Sequence, residues 1–157
     1  MSRTRNVTIV VIIVAVAIGG GYYYMQSQLS AALDHIDVRL EGVEVRGFSL
    51  TPPEANLTLN YLVNNTSGLG FMVSVNGQLY YEDTLITPIT GKNQQVKAMG
   101  VSSVDVNVSF TSSIIQTLGG IGDRSKYHIE GELKATYMFL GVVPITISRD
   151  LSTLTGQ

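Results

Sequence analysis

The side chains best placed to do chemistry are His128, Glu130 and Glu132, which recur at every second position in the run Tyr127-His128-Ile129-Glu130-Gly131-Glu132. In an extended strand that spacing puts all three on one face, where an imidazole and two carboxylates could share a divalent cation. The same alternation also describes an ordinary solvated strand face, so no metal is assigned to them. His35 adjoins Asp34, but sequence neighbours are not an oriented pair, and neither histidine has an evident nucleophile or oxyanion donor. The chain lacks cysteine, which removes disulfides, thiolate catalysis, iron–sulfur clusters and cysteine-ligated zinc. Gly119-Gly120-Ile121-Gly122-Asp123 has no Gly-Lys-Ser/Thr after it and is expected to lead from a helix into a strand, so it reads as a turn. The acidic residues are scattered, and no pair is set for glycoside chemistry. No catalytic, cofactor-binding or metal-binding residue is assigned, no cofactor is expected, and the chain is expected not to be an enzyme.

Modification is a different matter. Asn56-Leu57-Thr58, Asn64-Asn65-Thr66, Asn65-Thr66-Ser67 and Asn107-Val108-Ser109 are acceptor triplets for N-glycosylation, which makes Asn56, Asn64, Asn65 and Asn107 candidate sites in a host that performs it. The turn at Asn64 to Thr66 is expected to be the exposed one.

The elements that would hold these residues are mostly strands. Ala55, Leu57, Leu59, Tyr61 and Val63 alternate with Asn56, Thr58, Asn60 and Asn64; Phe71, Val73, Val75, Leu79 and Tyr81 alternate with Ser74, Asn76 and Gln78. Gly77 stands where an inward side chain is due and suits a bulge or a close neighbour. Val104 to Phe110 and Tyr127 to Phe139 repeat the pattern. Weaker strands are expected at Val38 to Val45, bulged at Gly42, at Gln95 to Met99 and at Pro144 to Arg149. Thr51-Pro52-Pro53, Thr66-Ser67-Gly68, Thr87-Pro88, Gly91-Lys92-Asn93 and Gly141 read as breakers. About seven short strands at this spacing predict an all-β sandwich of the fibronectin III or immunoglobulin kind. One short helix is expected after Thr111-Ser112, with Ile114, Ile115 and Leu118 on one face and Gly119-Gly120 ending it.

Ahead of the strands, Val7 to Tyr24 carries no charge and makes roughly 27 Å of helix, close to the thickness of a hydrocarbon core. Arg3 and Arg5 precede it, so the positive-inside bias puts the N-terminus in the cytoplasm and the rest outside. Tyr22, Tyr23 and Tyr24 suit the headgroup layer. Ala15-Val16-Ala17 is also a cleavage-site pattern, and processing after Ala17 would make the protein secreted. The division expected is an anchor at 1–25, a stalk at 26–34, a β-sandwich at 35–153 and a tail at 154–157. From Asp34 onward there are eight basic residues against twelve acidic ones, so nucleic acid is not an expected partner. The expected partners are the lipid bilayer, through the helix, and a protein or surface polymer.

With the strands placed, Val38 to Leu151 resembles the second group of late embryogenesis abundant (LEA) proteins, which includes the water-stress and hypersensitive-response (WHy) domain. The resemblance rests on Leu57 to Val63 ending in Asn64-Asn65, on Phe71 to Tyr81 with Asn76-Gly77, and on Tyr127-His128-Ile129-Glu130-Gly131 followed by Gly141-Val142-Val143-Pro144. The family's Asn-Pro-Asn turn stands here as Asn64-Asn65-Thr66. The resemblance implies a fibronectin-like sandwich with one helix, an association with desiccation or stress and, in anchored members, a place at the cell surface; it brings no catalytic residues. The expected role is a non-enzymatic, membrane-anchored module for protection or interaction. The alternatives are a structural subunit of a surface filament and a secreted binding protein.

Overall fold

The computed structural model describes residues 2–111 and 127–154. Helix α1 (Ser2–Leu33) runs unbroken through the apolar segment and beyond it. The strands are β1 (Ile36–Leu50), β2 (Pro53–Asn65), β3 (Phe71–Tyr81), β4 (Thr84–Val96), β5 (Gly100–Thr111), β6 (Tyr127–Phe139) and β7 (Val143–Asp150), followed by the single turn of helix α2 (Leu151–Leu154). The helix expected after Thr111 and the Gly119 to Asp123 turn lie outside the described residues.

All pairings are antiparallel, and the strands form one hydrogen-bonded sheet in the order β1-β2-β5-β4-β3-β6-β7. β2 and β3 are not neighbours in that order, yet Val63 of β2 shares a buried cluster with Phe71 and Val73 of β3. The sheet is therefore folded over into two layers, β1-β2-β5 and β4-β3-β6-β7, which is the sandwich the alternation predicts. The fold line is the seam between β4 and β5, where the backbone ladder is confined to Ile89↔Val108 and Thr90↔Asn107. Side chains stitch the rest of it. The Gln94 amide donates to the Asp105 carbonyl at 2.8 Å and accepts from the Asp105 N–H at 2.7 Å, standing in for a ladder pair, and the Thr87 hydroxyl donates to the Ser109 carbonyl.

Gly42 lies at a register shift in β1, as expected. Gly77 meets its close neighbour. It faces Gly131 across β3 and β6, where a Cβ on Gly77 would come within 2.7 Å of the Glu130 carbonyl and one on Gly131 within 2.3 Å of the Gly77 Cα. One expectation needs correction. Thr87-Pro88 and Gly91-Lys92-Asn93 do not break the chain but lie inside β4, which is far longer than the short strand expected at Gln95 to Met99. Proline is tolerated because the seam beside it carries few backbone bonds, and the register shift between Val73 and Val75 falls opposite the Gly91 region. Residues 26–33 are the last turns of α1, and Leu29, Ala32 and Leu33 are buried among Val63, Val96, Val104, Ala135 and Ile145.

Register also defines the two ends of the sandwich. Asn65 pairs with Gly100, Phe71 with Val96, and Phe139 with Val143, so the loops 66–70, 97–99 and 140–142 share one end. The turns 51–52 and 82–83 lie at the other.

Candidate functional site

Of the residues singled out for metal chemistry, His128 and Glu130 lie close together and Glu132 has a different partner. His128 stacks on Tyr80, with ring centroids 5.2 Å apart and planes 9° from parallel, and its Nε2 is 3.6 Å from Glu130. Glu132 turns instead to Lys134 at 2.8 Å, and this hydrogen bond, with one from Ser148, lowers its carboxyl pKa. Among the described residues no three His, Asp or Glu side chains converge on a common metal position. His35 and Asp34 also part company. His35 Nδ1 is 2.8 Å from the Ala31 carbonyl at the end of α1, whereas Asp34 faces Arg149 at 3.4 Å.

The candidate glycosylation sites divide by exposure. Asn56, Asn64 and Asn107 are exposed, although the Asn107 side-chain oxygen accepts a hydrogen bond from Thr58 at 2.9 Å. Asn65 is different: it is 0% exposed, and its amide nitrogen donates to the Leu69 carbonyl at 2.9 Å and the Lys97 carbonyl at 3.0 Å. Its oxygen accepts from the Ser67 N–H at 2.9 Å and hydroxyl at 2.7 Å. The nitrogen a glycan would need is thus committed inside the fold, where it ties the 66–70 loop to the 97–99 loop.

What the fold does assemble is a socket for α1. Tyr22, Met25, Leu29, Ala32 and Leu33 recur at helical spacing, and this face packs into the opening between the layers beside β6 and β7. Arg149 of β7 locks the outer side, donating to the Ser30 hydroxyl at 2.8 Å and approaching Asp34 at 3.4 Å. Phe139 lies against Gly21, where a Cβ would come within 2.9 Å of its ring. Sequence reasoning missed this junction because the segment's serines and glutamines read as a stalk. The i, i+3, i+4 spacing of Leu29, Ala32 and Leu33 was the signal that could have found it. Above the socket the picture reverses: from Ile9 to Ile18 the large apolar side chains of α1 are exposed, and Thr8–Leu33 is long and apolar enough to span a membrane or to serve as a signal sequence.

Between the layers lies a cavity of about 280 Å³, just under the usual range of roughly 300–1,000 Å³ for small-molecule sites. Leu59, Val75, Val106, Ile129 and Leu151 are among its wall, and Tyr61 supplies a hydroxyl, whose pKa burial pushes up. Such a wall attracts apolar matter and polarises no bond. A second, open groove of about 470 Å³ runs between α1 and β7 past Gln26, Ser30, Ser148 and Arg149.

No family model matches the chain, and no curated protein does. Among solved structures, it is similar to a crystal structure of a protein from Archaeoglobus fulgidus, at 14% identity and a TM-score of 0.43, over 71% of this chain and 94% of that one. It is also similar to the solution structure of a protein described as late embryogenesis abundant, at 12% identity and a TM-score of 0.41, over 90% of this chain and 86% of that one.

Proposed function

We propose that this protein is a single-pass, non-enzymatic β-sandwich anchored at the cell surface, with its N-terminus in the cytoplasm and its sandwich outside. In this reading it protects or binds at the surface, in the manner the resemblance to stress- and desiccation-associated LEA proteins implies. One observation carries the reading. The exposed apolar half of α1 continues without a break into the half buried in the sandwich, so that anchor and domain are a single built unit. In water the uncovered half would be costly to expose; in a bilayer it is the favourable half. Arg3 and Arg5 on the near side and the net acidic domain beyond support the orientation. The partners are the lipid bilayer and a protein or surface polymer, and nucleic acid is not among them.

Alkaline carbonate extraction of expressing cells, followed by intact-mass analysis, tests the anchor. The chain should stay in the membrane pellet and retain its first seventeen residues. Release to the supernatant with Ile18 as the new N-terminus would make it a secreted protein instead. A second reading, a filament subunit, is favoured by β1, the first strand in the sheet order, whose Val43, Val45, Phe48 and Leu50 are exposed. Immunolabelled electron microscopy separates the two: dispersed membrane staining supports the anchored module, whereas labelled fibres support the filament.

A further inference from the structure

The β6–β7 hairpin points the same way as the membrane-facing end of α1. Phe139 sits beside Gly21 and Arg149 beside Ser30, so β7 and α1 run in the same sense away from the proposed bilayer, and the 140–142 tip projects toward it. The tip is apolar. No charged residue lies between Lys134 and Arg149, and Leu140 and Val142 are 67% and 74% exposed. Gly21 is three residues before Tyr24, where the proposed membrane span Val7 to Tyr24 ends, which sets Phe139 roughly 4–5 Å inside the end of that span along the helix axis.

The turns make the contrast sharper. Among the described residues, three non-glycine residues take a left-handed backbone: Glu82 at φ 52°, Met99 at φ 48° and Leu140 at φ 54°. That conformation is unfavourable for an ordinary side chain, so these positions run against local preference. At the far end of the sandwich the position carries Glu82, followed by Asp83, as an aqueous turn should. At the hairpin tip beside the membrane-facing part of α1 it carries Leu140, an apolar side chain suited to a lipid surface.

We infer that the β6–β7 hairpin tip is a second membrane contact that dips into the headgroup and upper acyl layer next to α1. The occupant of this apolar surface is lipid, because it is continuous with the segment proposed to span the bilayer. The inference rests on the anchored reading. Two attachment points fix the sandwich against the membrane, so that the far end, about 30 Å away along β3, is the part presented outward.

The absence of cysteine allows a clean test with the full chain. Single variants Leu140→Cys, Val14→Cys and Leu50→Cys, each carrying an environment-sensitive fluorophore, are reconstituted into phosphatidylcholine vesicles with nitroxide-labelled lipids. Leu50 is 75% exposed and equally apolar but lies at the far end, so it controls for exposure alone. The Leu140 label should be blue-shifted and quenched severalfold more by shallow than by mid-bilayer nitroxides, the Val14 label quenched best by the deeper ones, and the Leu50 label by neither. A Leu140 label as exposed to aqueous iodide as the Leu50 label, with Val14 still quenched, would overturn the hairpin contact and leave the anchor standing. Loss of quenching at Val14 would overturn the anchor and the hairpin contact with it. Circular dichroism of each labelled protein, matching the unlabelled chain, guards against misfolding.

Discussion

At the scale of residues, the polar side chains that looked chemical have protein partners, and each assignment is measurable. Glu132 pairs with Lys134 and His128 stacks on Tyr80, so zinc or calcium is expected not to move Tm; a rise of several degrees, abolished by His128→Ala, would contradict this. Asn65→Ala removes the amide that donates to the Leu69 and Lys97 carbonyls and the one oxygen that accepts both Ser67 bonds, and should cost roughly 2–4 kcal/mol in denaturant unfolding of the detergent-solubilised chain. Asn64→Gln, on an exposed side chain next door, should cost almost nothing. The pH profile follows from direction alone. Hydrogen bonds from Lys134 and Ser148 hold the Glu132 carboxyl below its ordinary range, and those from Ser152 do the same for Asp150, so the stability they give is present at neutral pH and lost as pH falls through the folded-state values. Burial raises the Tyr61 hydroxyl above its ordinary 10.0, so its contribution is complete below that pH and lost as pH rises beyond it. Melting curves should therefore fall at both extremes. The acid fall should be shallower in Glu132→Gln with Asp150→Asn, and the alkaline fall shallower in Tyr61→Phe.

At the scale of elements, the legible parts were those where a single periodicity ruled. β3 is readable because inward and outward side chains alternate from Phe71 to Gln78, and even the close approach of Gly77 to a neighbour could be expected from its place in the pattern. β4 was not readable. Its Pro88 and Gly91 are local breakers, and they survive in a strand because side chains such as Gln94 supply the bonds that the backbone does not, a long-range fact no local window contains. The burial of Asn65 was hidden for the same reason: its acceptor triplet is local, whereas its bond to the Lys97 carbonyl reaches across the fold. The end of α1 was hidden by polar residues on the opposite side of the same helix. Its role can be tested separately from the membrane. Leu29→Ala empties a fully buried position and should destabilise the sandwich by roughly 2–5 kcal/mol. Gln26→Ala, on the open groove one turn earlier, should be within about 0.5 kcal/mol of the parent. Equal, small effects of the two would mean that α1 is not part of the core.

At the scale of the whole molecule, the proposed reading gives one helix two surroundings: its exposed half lies in lipid and its other end in the sandwich. Leu29 and Leu33 hold that end from within, Arg149 bonds to it from outside, and Phe139 lies against Gly21. Everything in this account turns on the side of the membrane to which the sandwich is delivered. The most direct measurement is protease treatment of intact cells expressing the full chain with one epitope tag before Arg3 and another after Gln157. The account predicts that the C-terminal tag and the sandwich are lost to external protease while the N-terminal tag survives on a membrane-protected fragment; survival of the C-terminal tag in accessible, intact cells would contradict it.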